Sequence, residues 1–349
     1  MRGISLRQNI NEDITTKMQL KEIYQPIAKE LNNVEQALRY SLGSSKYGSI
    51  LKISNYLLEA KGKRLRPALV ILSTKASRRK NAAGGNVNSQ LTKIAAAIEL
   101  VHMASLIHDD VIDRARIRHN KLTINYKWGN EVSIALGDYL YALAFELVSA
   151  CGNSDILSCI SSATKSMCEG ELIQVCERDN LDLLRQRYLL MVKKKTAALL
   201  SASCHAGAML VSHNRDIQEA LKGYGLNFGI AFQIVDDCLD LVSEKKELGK
   251  SPGADFKMGE LTLPVLHLLA QTKDKNTILS LLKQSDRQEA FITLKKRFIS
   301  SEALPKTKKD ICHYIQKAKK SLNRINDSSF KRSLFGLADF VAERVPPYD

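Results

Sequence analysis

Two short acidic groups set the chemistry open to this 349-residue sequence: DDVID, with Asp109, Asp110 and Asp113, and DDCLD, with Asp236, Asp237 and Asp240. Each closes an apolar run, so on a helix the aspartates one turn apart share a face and their carboxylates can converge. Like charges gathered beside apolar surface are costly unless cations neutralise them. A few hard oxygen donors, with the remaining positions left to water and phosphate, suit Mg²⁺. One DDxxD alone reads equally well as a solvated helix end. A second copy after the same kind of apolar run favours a shared site, and no EF-hand loop with its glycine offers a structural Ca²⁺ alternative.

Cations stand near both groups. Lys63, Arg64 and Arg66 gather just before Pro67, whose place in a first helical turn suggests an anion-binding helix start. Arg114, Arg116 and Arg118 follow the first acidic group, and Lys193, Lys194 and Lys195 precede Thr196. Acid for a metal and base for phosphate together are what a diphosphate substrate requires.

The elements that must position these groups read as helical throughout. Aromatics make up 6% of the chain, prolines number 7, and long stretches keep a helical period, so an all-α single-domain bundle is the expected fold class. The spacing predicts an entry helix or helical hairpin from Met18 to about Ser41, and helices from Ser49 to Glu59, from Pro67 onward, and from Gln90 to Asp109. Further ones are expected over 130–150, 154–176, 181–211, 215–243, 262–273, 308–324 and Phe330 to Arg344. Residues 80–88, rich in Asn and Gly, read as a loop, and 1–16 as a flexible N-terminal segment.

The formal charge of +15 is dispersed and lacks interleaved aromatics, which argues against nucleic acid as partner. Seven cysteines form no CxxC pair and suit reduced core thiols of a cytoplasmic protein. No run of about 18 apolar residues is seen, so no membrane span is expected. The start, MRGISLRQNINED, has no apolar signal region.

Taken in order, GKRLRP, HMASLIHDDVID, EGELIQ, KKKTA and FQIVDDCLDLVSEKKELGKSPGADF resemble the trans-type isoprenyl diphosphate synthases along essentially the whole chain. The opening LKEIYQPIAKEL and the ending LADFVAERV resemble the long-chain bacterial members, including octaprenyl and solanesyl diphosphate synthases. The resemblance implies the isoprenoid synthase fold, a helical bundle around a central apolar cavity, working as a homodimer. It implies three Mg²⁺ ions bridging an allylic diphosphate, with Asp109, Asp113 and Asp236 as direct ligands and Asp110, Asp237 and Asp240 binding directly or through water. Arg118 would grip the allylic diphosphate; Lys63, Arg66 and His102 would form the isopentenyl diphosphate pocket. Lys195, Thr196 and Gln233 would surround the reacting centre, Lys250 would hold the departing diphosphate, and Gln174 would support.

Three positions depart from the family pattern: Lys61 replaces a glycine, His119 an arginine of the isopentenyl site, and Glu260 a lysine in GELTLP. The growing tail is expected to run down the helix ending in DDVID, where Ala104 and Ser105 are too small to plug a tunnel, and Ala97 lies two turns further on. One turn is about 5.4 Å, near one isoprene unit, so the expected product is longer than farnesyl, in the hexaprenyl to decaprenyl range. Ile156 or Ile160 would form the floor. Such a product suits a quinone side chain and a peripheral membrane contact for its release. Two other readings remain: a terpene cyclase, which carries a different second motif and more aromatics, and a noncatalytic or partner-dependent subunit, which commonly loses aspartates that this chain keeps.

Overall fold

A computed structural model describes residues 19–59, 62–78, 86–118, 120–178, 180, 185–242, 253–271, 275–283 and 287–345. The expected segment 1–16, and Lys61, His119 and Lys250, lie outside the described residues. The helical periods resolve into α1 (Leu20–Tyr24), α2 (Ala28–Gly43), α3 (Gly48–Leu58), α4 (Leu65–Ser77) and α5 (Val87–Ile112). A two-stranded antiparallel ribbon follows, β1 (Ile117–Arg118) and β2 (Lys121–Leu122), with Ile117 opposite Leu122. Then come α6 (Ile124–Trp128), α7 (Asn130–Ser149), α8 (Ser154–Cys176), α9 (Arg185–Val192), α10 (Ala198–Met209) and α11 (Arg215–Val242). The chain ends through α12 (Ala254–Lys257), α13 (Leu263–Gln271), α14 (Lys275–Lys283), α15 (Arg287–Ile299), α16 (Ala303–Ser321) and α17 (Ser329–Ala342).

The fold is an all-α bundle. Helix α5 packs along α7 and against α4; α10 joins α4, α8 and α11, and α11 is covered by α16 and α17. Burial explains the order. Helix α5 hides almost every side chain from Ile94 to Ala104, and α4 buries Pro67 to Thr74 without a polar face, so both belong to the centre. The outer α16 keeps one apolar stripe, Leu304, Ile311, Ile315 and Ala318, under an exposed lysine-rich face. Small residues set the closest approaches. A Cβ on Gly207 would meet the Val70 carbonyl at 2.4 Å, and one on Gly225 the Leu200 carbonyl at 2.5 Å, so α10 can lie directly against α4 and α11.

Several expectations change. Helix α4 starts at Leu65, before Pro67; the proline still costs little, because the first four N–H groups of a helix have no intrahelical acceptor. The helix or hairpin expected at 18–41 takes the form of α1 and α2, separated by a 3₁₀ turn, Gln25–Ile27, at Pro26. Helices α14 and α15 and the ribbon were not expected, and α16 begins five residues earlier than its predicted start at 308. By length and composition α5 and α7 are each apolar enough to cross a membrane, contrary to the sequence expectation; α5 is mostly enclosed by its neighbours, as a core helix is.

Candidate active site

Helix α5 delivers the first acidic group at its C-terminal turn, and its three carboxylates take three different cations. Asp109 lies 3.8 Å from Lys195 Nζ. Asp110, turned inward and buried, accepts from Arg118 Nε at 2.8 Å, which ties the β1–β2 ribbon to the helix end. Asp113 accepts from Arg178 Nη2 at 2.9 Å, just beyond the end of α8. Burial pushes the Asp109 carboxyl up to about 6, against the pull of Lys195, with Glu171 and Asp113 adding to the rise.

Lys195 reaches Asp109 because the backbone widens locally. Residues Lys193–Ala197 form a π-helical turn between α9 and α10, a feature that recurs at functional sites. Lys193 faces solvent, Lys194 pairs with Glu169 at 2.5 Å, and Lys195 turns inward onto Glu171. Burial alone would weaken the Lys195 ammonium, but Asp109, Glu171 and Glu260 outweigh it and hold the group firmly charged. Gly170 of α8 and Gly229 of α11 let both helices touch this turn: a Cβ on Gly170 would stand 2.4 Å from the Lys195 nitrogen, one on Gly229 2.7 Å from Ala197 Cα.

From Thr196 a chain of hydrogen bonds runs to the second acidic group. Thr196 Oγ1 donates to Gln233 Oε1 at 2.7 Å, and Gln233 Nε2 donates to Asp237 Oδ1 at 2.7 Å. Tyr188 OH donates to the other Asp237 oxygen at 2.5 Å. Asp237 is buried, which drives its carboxyl well above the usual range; Asp255 adds to the rise, and the Tyr188 and Gln233 bonds oppose it. Asp240 accepts from the Ala254 and Asp255 N–H groups at 3.2 Å each, fixing the start of α12 on the end of α11. Asp236 accepts from Arg344 Nη1 at 2.9 Å. The two acidic helix ends therefore face one site, joined through Lys195, Thr196 and Gln233, while Arg178 ties Asp113 to Glu260 beside them.

A second group of cations adjoins Asp236. Arg64 takes a left-handed backbone, φ 51°, pairs with Glu35, and bonds Glu99 at 2.9 Å. Arg66 follows with its Nε buried and unpartnered among the described residues. Its burial lowers the guanidinium to about 10, while Glu99 and Asp236 pull the other way. Lys63 stands 5.9 Å over the Phe340 ring, and its ammonium is weakened by burial and by Arg344. A pocket lined by Tyr24, Lys63, Phe232, Phe340 and Arg344 lies here.

His102 and Ser105 are half-buried on α5, the Ser105 hydroxyl donating to the His102 carbonyl at 2.9 Å, and Ala104 is fully enclosed. Ile156 and Ile160 are fully buried on α8. Gln174 hydrogen-bonds Glu260, whose carboxyl burial raises to about 7 with help from Asp255. Sequence reading missed Tyr188 and Arg178, which lie outside the recognised motifs, and gave no role to Glu171 of EGELIQ or Arg344 of LADFVAERV. The helical offset of Glu171 from Gln174 and the place of Arg344 in the ending motif were the signals that could have flagged them.

Among the described residues no three Asp, Glu, His or Cys side chains are gathered closely enough to grip an ion as they stand. The donor chemistry nonetheless fits a hard divalent cation: every candidate ligand is a carboxylate oxygen. Four of them, on Asp109, Asp110, Asp113 and Asp236, are neutralised by Lys195, Arg118, Arg178 and Arg344 in the positions where bound cations would do the same.

Residues 48–296 match the family model described as polyprenyl synthetase. The chain belongs to the polyprenyl synthetase family. It is 34% identical over 334 residues to the short chain isoprenyl diphosphate synthase of Methanothermobacter thermautotrophicus, covering 93% of this chain and 99% of that protein. It is 32% identical over 337 residues to heptaprenyl diphosphate synthase component 2 of Bacillus subtilis, covering 96% and 94%. The polyprenyl synthase of Caulobacter crescentus, solved with calcium and isoprenyl diphosphate, superposes with a TM-score of 0.86 at 30% identity, covering 95% of this chain and 99% of that one. This polyprenyl synthetase is a prenyltransferase that joins isoprenoid diphosphates head to tail in the trans sense. Relatives of short and long product length are similar to it to nearly the same degree, so the likeness to octaprenyl and solanesyl synthases reduces to membership of the family.

Proposed function

We propose that this enzyme adds isopentenyl diphosphate repeatedly to an allylic diphosphate (geranyl, farnesyl or geranylgeranyl) and releases a product of hexaprenyl to decaprenyl length. The observation that carries this reading is the small lining of α5 below the acidic group. Ala104 is fully buried and Ser105 half-buried, so no bulky side chain rises from either position. Helix α8 runs back toward the site, and Ile156 lies fifteen residues before Glu171. At about 1.5 Å per residue that is roughly 22 Å, enough for several isoprene units above a floor at Ile156 or Ile160.

In this reading Asp109, Asp113 and Asp236 would hold three Mg²⁺ directly, and Asp110, Asp237 and Asp240 would hold them directly or through water. Bound divalent ions would neutralise the charge that develops on the departing diphosphate. Lys195, kept charged by Asp109 and Glu171, and Arg118 stabilise the same charge as the C–O bond breaks with its electron pair going to diphosphate. The Thr196 and Gln233 oxygens, oriented by their hydrogen bonds toward Asp237, face the allylic cation. The isopentenyl double bond then forms the new C–C bond, and the released diphosphate takes the proton. Lys63, Arg66 and His102 bind isopentenyl diphosphate, with Lys250 and His119 completing the two diphosphate sites and Gln174 holding Glu260. The buried apolar lining excludes water that would quench the cation.

The whole chain, 1–349, acts as one synthase domain and works as a homodimer. Exposed Ile134 on α7 and Leu172 and Val175 on α8, at the same end of this antiparallel helix pair, support that assembly. All seven cysteines are free, as suits the cytoplasm, and a long apolar product suits a quinone side chain and a passing membrane contact at release. Likeness to a protein named as component 2 favours one second reading, dependence on a partner subunit.

Purified protein incubated with labelled isopentenyl diphosphate, farnesyl diphosphate and Mg²⁺ should give dephosphorylated prenols of thirty or more carbons, and a chelator should abolish them. Products that stop at fifteen or twenty carbons would overturn the length; activity appearing only with a second protein would select the partner-dependent reading.

A further inference from the structure

Arg178 is a cation of the acidic centre to which the proposed reaction assigns no role. It lies two residues beyond the end of α8, and its side chain is 19% exposed. A single nitrogen, Nη2, serves both Asp113 Oδ1 at 2.9 Å and Glu260 Oε1 at 3.3 Å. A guanidinium offers five N–H donors in a rigid fork, and this fork leaves most of them unused. Nε is buried without an acceptor, and Nη1 makes no hydrogen bond among the described residues. A buried donor without an acceptor is unfavourable unless a ligand completes it. The fork therefore stands between Asp113 of the first acidic group and Glu260, with one edge tethered to protein and another unfilled.

We propose that Arg178 binds the diphosphate of the allylic substrate, with Glu260 as the anchor that keeps the guanidinium at the mouth of the site. The proposal rests on the synthase reading above. When Asp113 turns to a divalent cation, Arg178 loses one acceptor and keeps Glu260. Its free donors then meet phosphate oxygens, for which a planar fork is the matched partner. Glu260 stands where a carboxylate alone would repel a diphosphate; paired with Arg178, it presents a cation instead. A lysine at 260 would put an ammonium there directly, whereas the Arg178–Glu260 pair, with no net charge, turns the cationic fork of Arg178 to the same place.

The test uses the full-length protein and two probes: inorganic pyrophosphate with Mg²⁺, followed by calorimetry, and the prenyl-transfer assay. Arg178→Gln should weaken Mg²⁺-pyrophosphate binding and raise the KM for the allylic diphosphate by about tenfold or more, leaving the KM for isopentenyl diphosphate within about twofold. Adding Glu260→Lys to Arg178→Gln should recover most of both losses. Arg178→Lys, which keeps the charge on a similar stem, should lose no more than about fivefold and serves if the glutamine variant melts too low to assay. Unchanged pyrophosphate affinity in Arg178→Gln, equal losses for both substrates, or no recovery in the double variant would overturn the assignment. A wild-type protein that binds Mg²⁺-pyrophosphate through Arg178 yet forms no prenol would instead sink the synthase reading and leave the binding role standing.

Discussion

Replacing Gly170 with alanine tests whether catalysis depends on how closely α8 meets the π-helical turn. The added Cβ would stand 2.4 Å from the Lys195 nitrogen, 2.8 Å from its Cα and 2.9 Å from its Cβ, whereas ordinary contact begins near 3.4 Å. The obstacle is backbone, so no rotamer change relieves it; α8 and the turn must part by about 1 Å. Overpacking of this kind costs about 1–3 kcal/mol, which lowers the melting point by several degrees and leaves the protein almost entirely folded at 25 °C. The shift falls on the residue whose ammonium sits between Asp109 and Glu171. Displacing a catalytic group by about 1 Å can cost on the order of 100-fold in rate. Thermal melting together with kcat at saturating concentrations of both substrates separates the two effects: kcat should drop far more than a few degrees of melting could explain. A variant that melts lower yet turns over within twofold of wild type would show that the precise seat of Lys195 is unimportant. One unchanged in both would refute the close approach itself.

Other perturbations read other parts of the site. Ala104→Phe places a ring in the enclosed lining of α5 and should shorten the main product to about farnesyl, seen by chromatography of the prenols; an unchanged product distribution rejects the tunnel. Glu260 has its carboxyl raised from 4.5 to about 7 by burial, so between those values the folded state holds a proton that the unfolded state has lost, and stability falls as pH rises through that window. Glu260→Gln removes a cost of at most about 3 kcal/mol, so the metal-free variant should melt close to wild type at pH 4.5 and higher at pH 8; an offset equal at both values would count against the raised carboxyl. Ile134→Lys combined with Leu172→Lys places two charges on the exposed apolar end of α7 and α8; light scattering should show the proposed homodimer in the wild type and a shift toward monomer in the variant, and a monomeric wild type would refute that assembly.

The acidic groups could be read in the sequence because their chemistry demands one residue type at one-turn spacing, and the apolar runs before them set the helices. Helices α7, α8 and α11 begin and end within a residue or two of the periods that predicted them. Helices α14 and α15 escaped because nine and thirteen residues give too few repeats of a period to stand out. The π-helical turn left no trace: KKKTA is compatible with an α-helix, and the close approach of α8 and α11 to the turn depends on two glycines 25 residues before and 34 residues after Lys195.

Long-range pairing explains what else was hidden, and it changes what the aspartates mean. Tyr188 and Arg178 lie outside the recognised motifs and Arg344 lies in one that gave it no role, yet each ends on an acidic-group carboxylate 49, 65 and 108 residues away in sequence. A motif gives the ligands but not the charges that hold them apart. Here four of the six aspartates meet protein cations, and the other two are held by Tyr188, Gln233 and backbone N–H groups. That arrangement lets six carboxylates sit beside an apolar core without unfolding it. On the proposed reading, taking up divalent cations would be an exchange: an ion that claimed Asp109, Asp113 or Asp236 would have to displace Lys195, Arg178 or Arg344. The cations so displaced would be free to meet a diphosphate, so the charges that stabilise these carboxylates in the folded protein would be the ones the proposed reaction needs.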